Sequence, residues 1–505
     1  MAYTLWQKNG GKIVLLTLRN IKNLNQRIIA LITGIAFFVV GFSLSSVNQL
    51  ISGGILVIGA FFEFFYITYK IAERNFLDLN ALFSAIWLGT VGLSQLRLLN
   101  YQKIWETRTM INIVLAFIIV QISLPVGALL GDYIANRFKD KKELKLGKIL
   151  FKFKKERLFW ICTITTAIAI ILFVWNIAIK GYVPFFSNIF NAYIYFYTKR
   201  MIFVTAACAV SPVAYWCIKK CELGIFKKIL LYICIAINTF IIPTLQVNRG
   251  VFIVAALMLT ASIFFLNGKK FIVFILCLVV TFTFYEIASV ARNYTGEYLT
   301  SVFEPSDIPL DNDKTETETE TETEDDTTEN NPTENDGTDT NSGLSFKLSP
   351  KAAFLYGYFT VSHDNFNEAV INATEYTYGV RQLFPFNSVL RSSAITQAIS
   401  DSEIHFVKPG LNTYNLICGI YYDLREFGVT LFCFIWSVII GAIEKFYLRK
   451  KGCFALAALG NAITVPILSF FSPMFENFTF WMFWGTIGIF MVISSIKILP
   501  KNNKE

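Results

Sequence analysis

Histidine is almost missing from this 505-residue chain, which carries two. Charge is also scarce: Asp, Glu, Lys and Arg make up 16% of the residues, against about 25% in soluble globular domains. No Cys/His set has metal-ligand spacing, and no Gly-rich phosphate loop, GxGxxG, HExxH or EF-hand pattern occurs. Nucleotide, metal and cofactor chemistry therefore have no motif to rest on. The stretch from 290 to 417 lacks cysteine, so no disulfide framework holds it. The nine cysteines (162, 208, 217, 221, 234, 277, 418, 433 and 453) read as small apolar packing residues.

What replaces charge is apolar surface. Hydrophobic residues make up 54% of the chain and Phe alone occurs 49 times; the mean hydropathy is +0.51. A soluble fold has no interior large enough for that surface. A secreted module, a nucleic-acid-binding domain and an ordinary cytosolic enzyme are excluded, and the net charge of +9 reads as a topology signal instead. Alternating segments of about ten residues, the mark of a membrane β-barrel, are absent.

The expected fold is an all-α polytopic membrane protein with about twelve transmembrane helices. The candidates are 28–47, 50–69, 80–96, 110–131, 158–179, 201–217, 229–247, 251–267, 271–289, 427–447, 453–472 and 478–496. The third and sixth are short and polar-flecked. With both termini on the cytoplasmic side, 30 of the 45 Lys and Arg fall on that face, densest in 132–157, as the positive-inside rule requires. No small-residue cleavage pattern follows the first span, so the N-terminus reads as part of the mature protein. The organisation expected is spans 1–9 in 1–290, an extracytoplasmic loop over 291–426, and spans 10–12 with a cytoplasmic tail over 427–505.

The large loop divides in two. Residues 304–343 contain a Thr-Glu repeat from Thr315 to Glu324 and almost nothing apolar, a composition that cannot offset the entropy of folding. Residues 344–426 are aromatic-rich and predict an ordered part with short helices. Ser349-Pro350 starts a helix over about 350–371, another is expected over about 388–399, and 411–423 is too short to span and reads as re-entrant.

Both histidines, His363 and His405, fall in this ordered part. Five arginines sit on the face where topology disfavours positive charge: Arg249 in Asn248-Arg249-Gly250, Arg292, Arg381, Arg391 and Arg425. Guanidinium is permanently charged and grips phosphate oxygens in pairs. Headgroup snorkelling is the plainer explanation for any one of them; together they suit a lipid diphosphate. Glu63 and Glu286 are the notable carboxylates inside spans.

Three stretches carry a resemblance: Gly181-Tyr182-Val183-Pro184-Phe185-Phe186-Ser187; Asn248-Arg249-Gly250; and Asn412-Thr413-Tyr414, Tyr421-Tyr422-Asp423, Phe427-Gly428 and Gly441. With the single large late loop, the chain resembles bacterial oligosaccharide repeat-unit polymerases, the Wzy-type O-antigen or capsule polymerases. It departs from their pattern in the residues inserted between Asp423 and Phe427 and in the acidic repeat.

The resemblance implies a glycosyltransferase of the bacterial plasma membrane. It would join undecaprenyl-diphosphate-linked oligosaccharides, donor and acceptor both, without metal or nucleotide, alongside a flippase and a chain-length regulator. Arg249 and Arg292 would contact the diphosphate, with Arg381 or Arg391 completing a clamp that stabilises the departing charge. His405 is the first candidate base, followed by Asp423 and His363. His363, Tyr414 and Tyr422 are candidate substrate contacts. An O-antigen ligase shares this layout. A flippase or other transporter would instead line a central cavity with charge and need no large ordered loop, and a sensor or scaffold would not need clustered arginines.

Overall fold

The computed structural model describes residues 18–137, 155–187, 192–268, 348–402, 404–408, 411 and 413–495, with isolated positions between 271 and 283. All regular structure among the described residues is helical. The long helices are α1 (Leu18–Ser43), α2 (Gln49–Tyr66), α3 (Leu79–Gln95), α4 (Thr107–Arg137), α5 (Lys155–Lys180), α6 (Met201–Lys220), α7 (Ile225–Leu245), α8 (Arg249–Leu266), α9 (Pro350–Asn372), α10 (Cys418–Lys450), α11 (Cys453–Leu468) and α12 (Phe478–Ser495).

Nine helices among the described residues are long and apolar enough to cross a membrane. The chain is a polytopic helical membrane protein. Two expected spans are shorter than a bilayer requires. α3 has 17 residues and α11 has 16. Both are enclosed by neighbouring helices, and a helix surrounded by protein need not match the lipid thickness. The polar flecks of α3 are explained by the same enclosure: Asn80, Ser84, Thr90, Ser94 and Gln95 are buried. The expected ninth span lies largely outside the described residues, as do the acidic 304–343 segment, Glu286, Arg292 and Asn412.

The bundle is organised around the parallel pair α4 and α10. Gly127 and Gly131 face Val438 and Ala442, and Gly441 faces Leu124; a methyl group on any of the three would overlap a carbonyl oxygen of the other helix. With no hydrophobic drive between helices in lipid, small residues at this spacing let backbones approach and gain dispersion contacts. Ion pairs mark the two ends: Arg108 Nε to Glu426 Oε1 at 2.5 Å, and a two-pronged Arg449–Asp132 pair. A second close approach joins α2 and α3, where Gly53 and Gly92 each lie against the other's carbonyl.

The termini of α4, α6 and α10 gather Arg137, Lys219, Lys220, Arg449 and Lys450 at one end of the bundle. At the other end, α9 and the segment from Val380 to Ser402 form a cap. α9 starts where the sequence places it, with the Ser349 hydroxyl accepting from Ala352 N–H at 3.4 Å and Pro350 in the first turn. The helix expected near 388–399 is split by Arg391, whose φ of 51° interrupts it between Asn387–Leu390 and Ser393–Asp401.

Candidate functional site

α10 is not continuous. Leu424 (φ −145°, ψ 25°) and Arg425 (φ 52°, ψ −140°) leave helical geometry, so 418–423 form a separate helical turn set against the rest. The carbonyls freed at the break are recovered by the cap: Thr377 N–H donates to Tyr422 O at 2.9 Å and Tyr378 N–H to Asp423 O at 3.0 Å. Arg425 is a non-glycine residue in a region that costs on the order of 1–3 kcal/mol, and its guanidinium lies over the Tyr376 ring at 4.1 Å. Gly428, past the break, lies against Ile420 O, where a side chain would collide. Leu424 and Arg425 thus make the kink that turns Asp423 into the cap.

Asp423 is fully buried. Its Oδ1 accepts from Thr377 Oγ1 at 2.5 Å, Gly379 N–H at 3.0 Å and Arg381 N–H at 3.0 Å. Gly379, with φ 91°, provides the left-handed turn that aims these backbone donors at one oxygen. The Arg381 guanidinium is also buried. It donates to Ser402 O and to Ser402 Oγ (3.0 Å) and packs over the Tyr422 ring at 5.0 Å. Tyr422 Oη accepts from His405 N–H at 3.3 Å, while the His405 residue is exposed.

A carboxylate the sequence did not single out completes the cluster. Glu476 ends the 3-10 turn Met474–Glu476 between α11 and α12. Its Oε1 accepts from Gln382 Nε2 at 2.9 Å and its Oε2 from Tyr414 Oη at 3.3 Å. A methyl group at Gly419 would fall on this carboxylate, so the missing side chain makes its berth. Burial pushes the Glu476 carboxyl up to about 7; Arg381 pulls it down and the Asp423 charge pushes it further up. The sequence signal was faint: one acidic residue in the apolar stretch between two spans, with no motif around it.

His363 lies elsewhere, on the buried face of α9. Its Nε2 is 2.9 Å from Thr90 Oγ1 and its Nδ1 is 3.1 Å from Asn415 Nδ2. Thr90 gives its own proton to Ile86 O, so it accepts from Nε2–H. Asn415 Oδ1 takes the Ile417 and Cys418 N–H groups, so its amide donates to Nδ1. This network assigns the neutral Nε2–H tautomer and leaves no room for a second proton. Burial holds the imidazole at about 3, well below its ordinary range. Neighbouring Asp364 is occupied by Trp105 Nε1 and Gln102 Nε2, both at 2.9 Å. His363 therefore ties α9 to α3 and to the turn before α10; it has no nitrogen free for a substrate.

The arginines separate. Arg249 begins α8, behind an Asn248 cap whose side chain accepts from Val251 N–H at 3.2 Å. It is buried, with its guanidinium 5.5 Å from the Tyr358 ring. Tyr358 stacks on Phe471 at 5.3 Å, so Arg249 borders the same α11–α12 connection that carries Glu476. Arg381 reaches that connection electrostatically, through Glu476. Arg391 is exposed beyond the cap and does not join them. Gly181, with φ 76°, ends α5, and Pro184–Phe186 form a 3-10 turn. Among the described residues no group of His, Cys, Asp and Glu is arranged to hold a metal ion.

The site is thus a guanidinium and two carboxylates enclosed at one end of an apolar bundle, with Tyr414, Tyr422 and Gln382 around them. Arg381 places a buried positive charge beside Glu476, a carboxyl near neutrality that can exchange a proton. No family model, curated protein or solved structure matches this chain.

Proposed function

We propose that the chain is a membrane glycosyltransferase that polymerises undecaprenyl-diphosphate-linked oligosaccharide repeat units into a surface polysaccharide. The reaction would take place at the outer face of the bacterial plasma membrane, with both chain termini cytoplasmic. The observation that carries this reading is the enclosed Arg381–Asp423–Glu476 cluster, built from a cap, a broken helix and an interhelical turn at the end of the bundle opposite the basic one.

In the proposed step an acceptor hydroxyl oxygen bonds to the donor's anomeric carbon. The bond from that carbon to the diphosphate oxygen breaks, and its electron pair leaves with undecaprenyl diphosphate. The hydroxyl proton passes to a protein base. Negative charge grows on the leaving group, and buried guanidinium groups act most strongly where water is excluded. Among the described arginines, Arg381 and Arg249 are the two that meet this condition. Apolar seams between helices suit the polyprenyl tails.

Purified protein in lipid vesicles, supplied with the host's undecaprenyl-diphosphate repeat units, should convert them to a ladder of longer chains on a gel. Units that stay single overturn the proposal. Preformed chains moved intact to a different acceptor would reassign the protein as a ligase.

A further inference from the structure

Resting on that reading of the reaction, we propose that Glu476 is the base that takes the acceptor hydroxyl's proton, with Gln382, Tyr414 and the bare backbone at Gly419 as its positioning elements. Three other groups are candidates for this task, and the geometry separates them from Glu476. His363 has both ring nitrogens committed. His405 is exposed and bonds the cluster only through its backbone N–H. Asp423 Oδ1 is saturated by three donors, and the residue is sealed from solvent. Glu476 shares the cluster's electrostatics, and each of its oxygens takes a single neutral donor, which leaves a lone pair for a hydroxyl, while the residue as a whole is not sealed from solvent as Asp423 is.

The surroundings fit a group that must change charge in each cycle. The groups that face Glu476 are Arg381 from the cap, Asp423 and Cys418 from the 418–423 turn, and Tyr414 from the segment before it. Arg381 favours the carboxylate, and Asp423 and burial favour the acid. Near neutral pH neither form dominates, the condition under which a base both accepts and releases a proton readily. Each donor to the carboxylate is neutral and comes from a different element, Gln382 from the cap and Tyr414 from the connector. Orientation is therefore fixed without an ion pair: among the described residues no ion-pair contact to Glu476 occurs.

The test is the rate of chain extension against pH for reconstituted protein. Wild type should lose about tenfold between pH 8 and pH 6 as Glu476 protonates. Glu476→Gln should extend chains at least about 100-fold more slowly, the usual loss when a positioned base is removed, and should have no acid limb. Glu476→Asp should recover part of the rate. Tyr414→Phe removes a donor to the charged form, so its acid limb should move to higher pH. If Glu476→Gln keeps the wild-type rate, or keeps the acid limb, the assignment is wrong. If Glu476→Gln aggregates in detergent, a Tyr414→Phe limb that coincides with wild type overturns the assignment, and one that moves upward supports it. Wild-type protein that extends nothing overturns the polymerase reading itself, a result distinct from an active enzyme indifferent to Glu476.

Discussion

Replacing His363 tests whether the cap is docked through a neutral imidazole. In the folded protein the ring titrates at about 3; in the unfolded chain its value is about 6.5. Below that value the unfolded state binds a proton that the native state does not. The His363 contribution is therefore fully present above about pH 6.5 and is lost as the pH falls toward the folded value, at about 1.4 kcal/mol per unit. Between pH 7.5 and pH 4.5 this amounts to about 3 kcal/mol. Gln at 363 offers one donor and one acceptor in place of the ring, so His363→Gln should fold with a loss of about 1–3 kcal/mol at pH 7.5 from imperfect hydrogen bonds. It should lack the acid sensitivity. Thermal unfolding in detergent, followed by tryptophan fluorescence, reads the region directly, because Trp87 and Trp105 lie 5.3 and 6.0 Å from the imidazole. The melting curves of wild type and variant should converge as the pH is lowered. A constant gap from pH 7.5 to pH 4.5 would show that His363 does not hold its neutral state in the fold.

The remaining expectations concern the scaffold and the arginines. Gly127→Ala and Gly131→Ala should each destabilise by about 1–3 kcal/mol, because the α4–α10 backbones must separate, whereas Gly485→Ala, which meets nothing within 4 Å, should melt with wild type. Arg381→Lys keeps the charge but loses the fork that grips Ser402; it should lower chain extension at least about tenfold, a loss of roughly 1.4 kcal/mol in barrier terms, while Arg391→Lys stays within about twofold of wild type. Arg449→Ala breaks an exposed pair with Asp132 and should cost less than about 1 kcal/mol in a thermal melt.

The membrane-spanning character and the start of α9 were legible in the chain because they depend on local properties. A hydrocarbon core selects apolar length, and a Ser-Pro pair supplies a helix start wherever the rest of the fold goes. The tight Asn248 turn before α8 was legible for the same reason. α3 and α11 show the limit of that reasoning: a hydropathy window measures apolar length and cannot see whether protein or lipid surrounds it. The break at Leu424–Arg425 was hidden too, since neither residue favours the conformation it adopts and contacts distant in sequence, from Thr377, Tyr378 and Tyr376, hold it.

The chemistry depended most on three-dimensional packing. In sequence His363 and His405 looked alike; enclosure by α3 sealed one and left the other at the surface. Arg381 and Arg391 looked like a pair, yet a left-handed residue at Arg391 turns it outward. Glu476 had no motif at all, and its environment comes from Gly419, Gln382 and Tyr414, which lie far from it along the chain. Apolar run length is a sum over neighbours in sequence, so the chain alone determined what crosses the membrane. The charge state and reach of a carboxylate depend on neighbours in space, so only the folded bundle decided which acid stands beside the arginine.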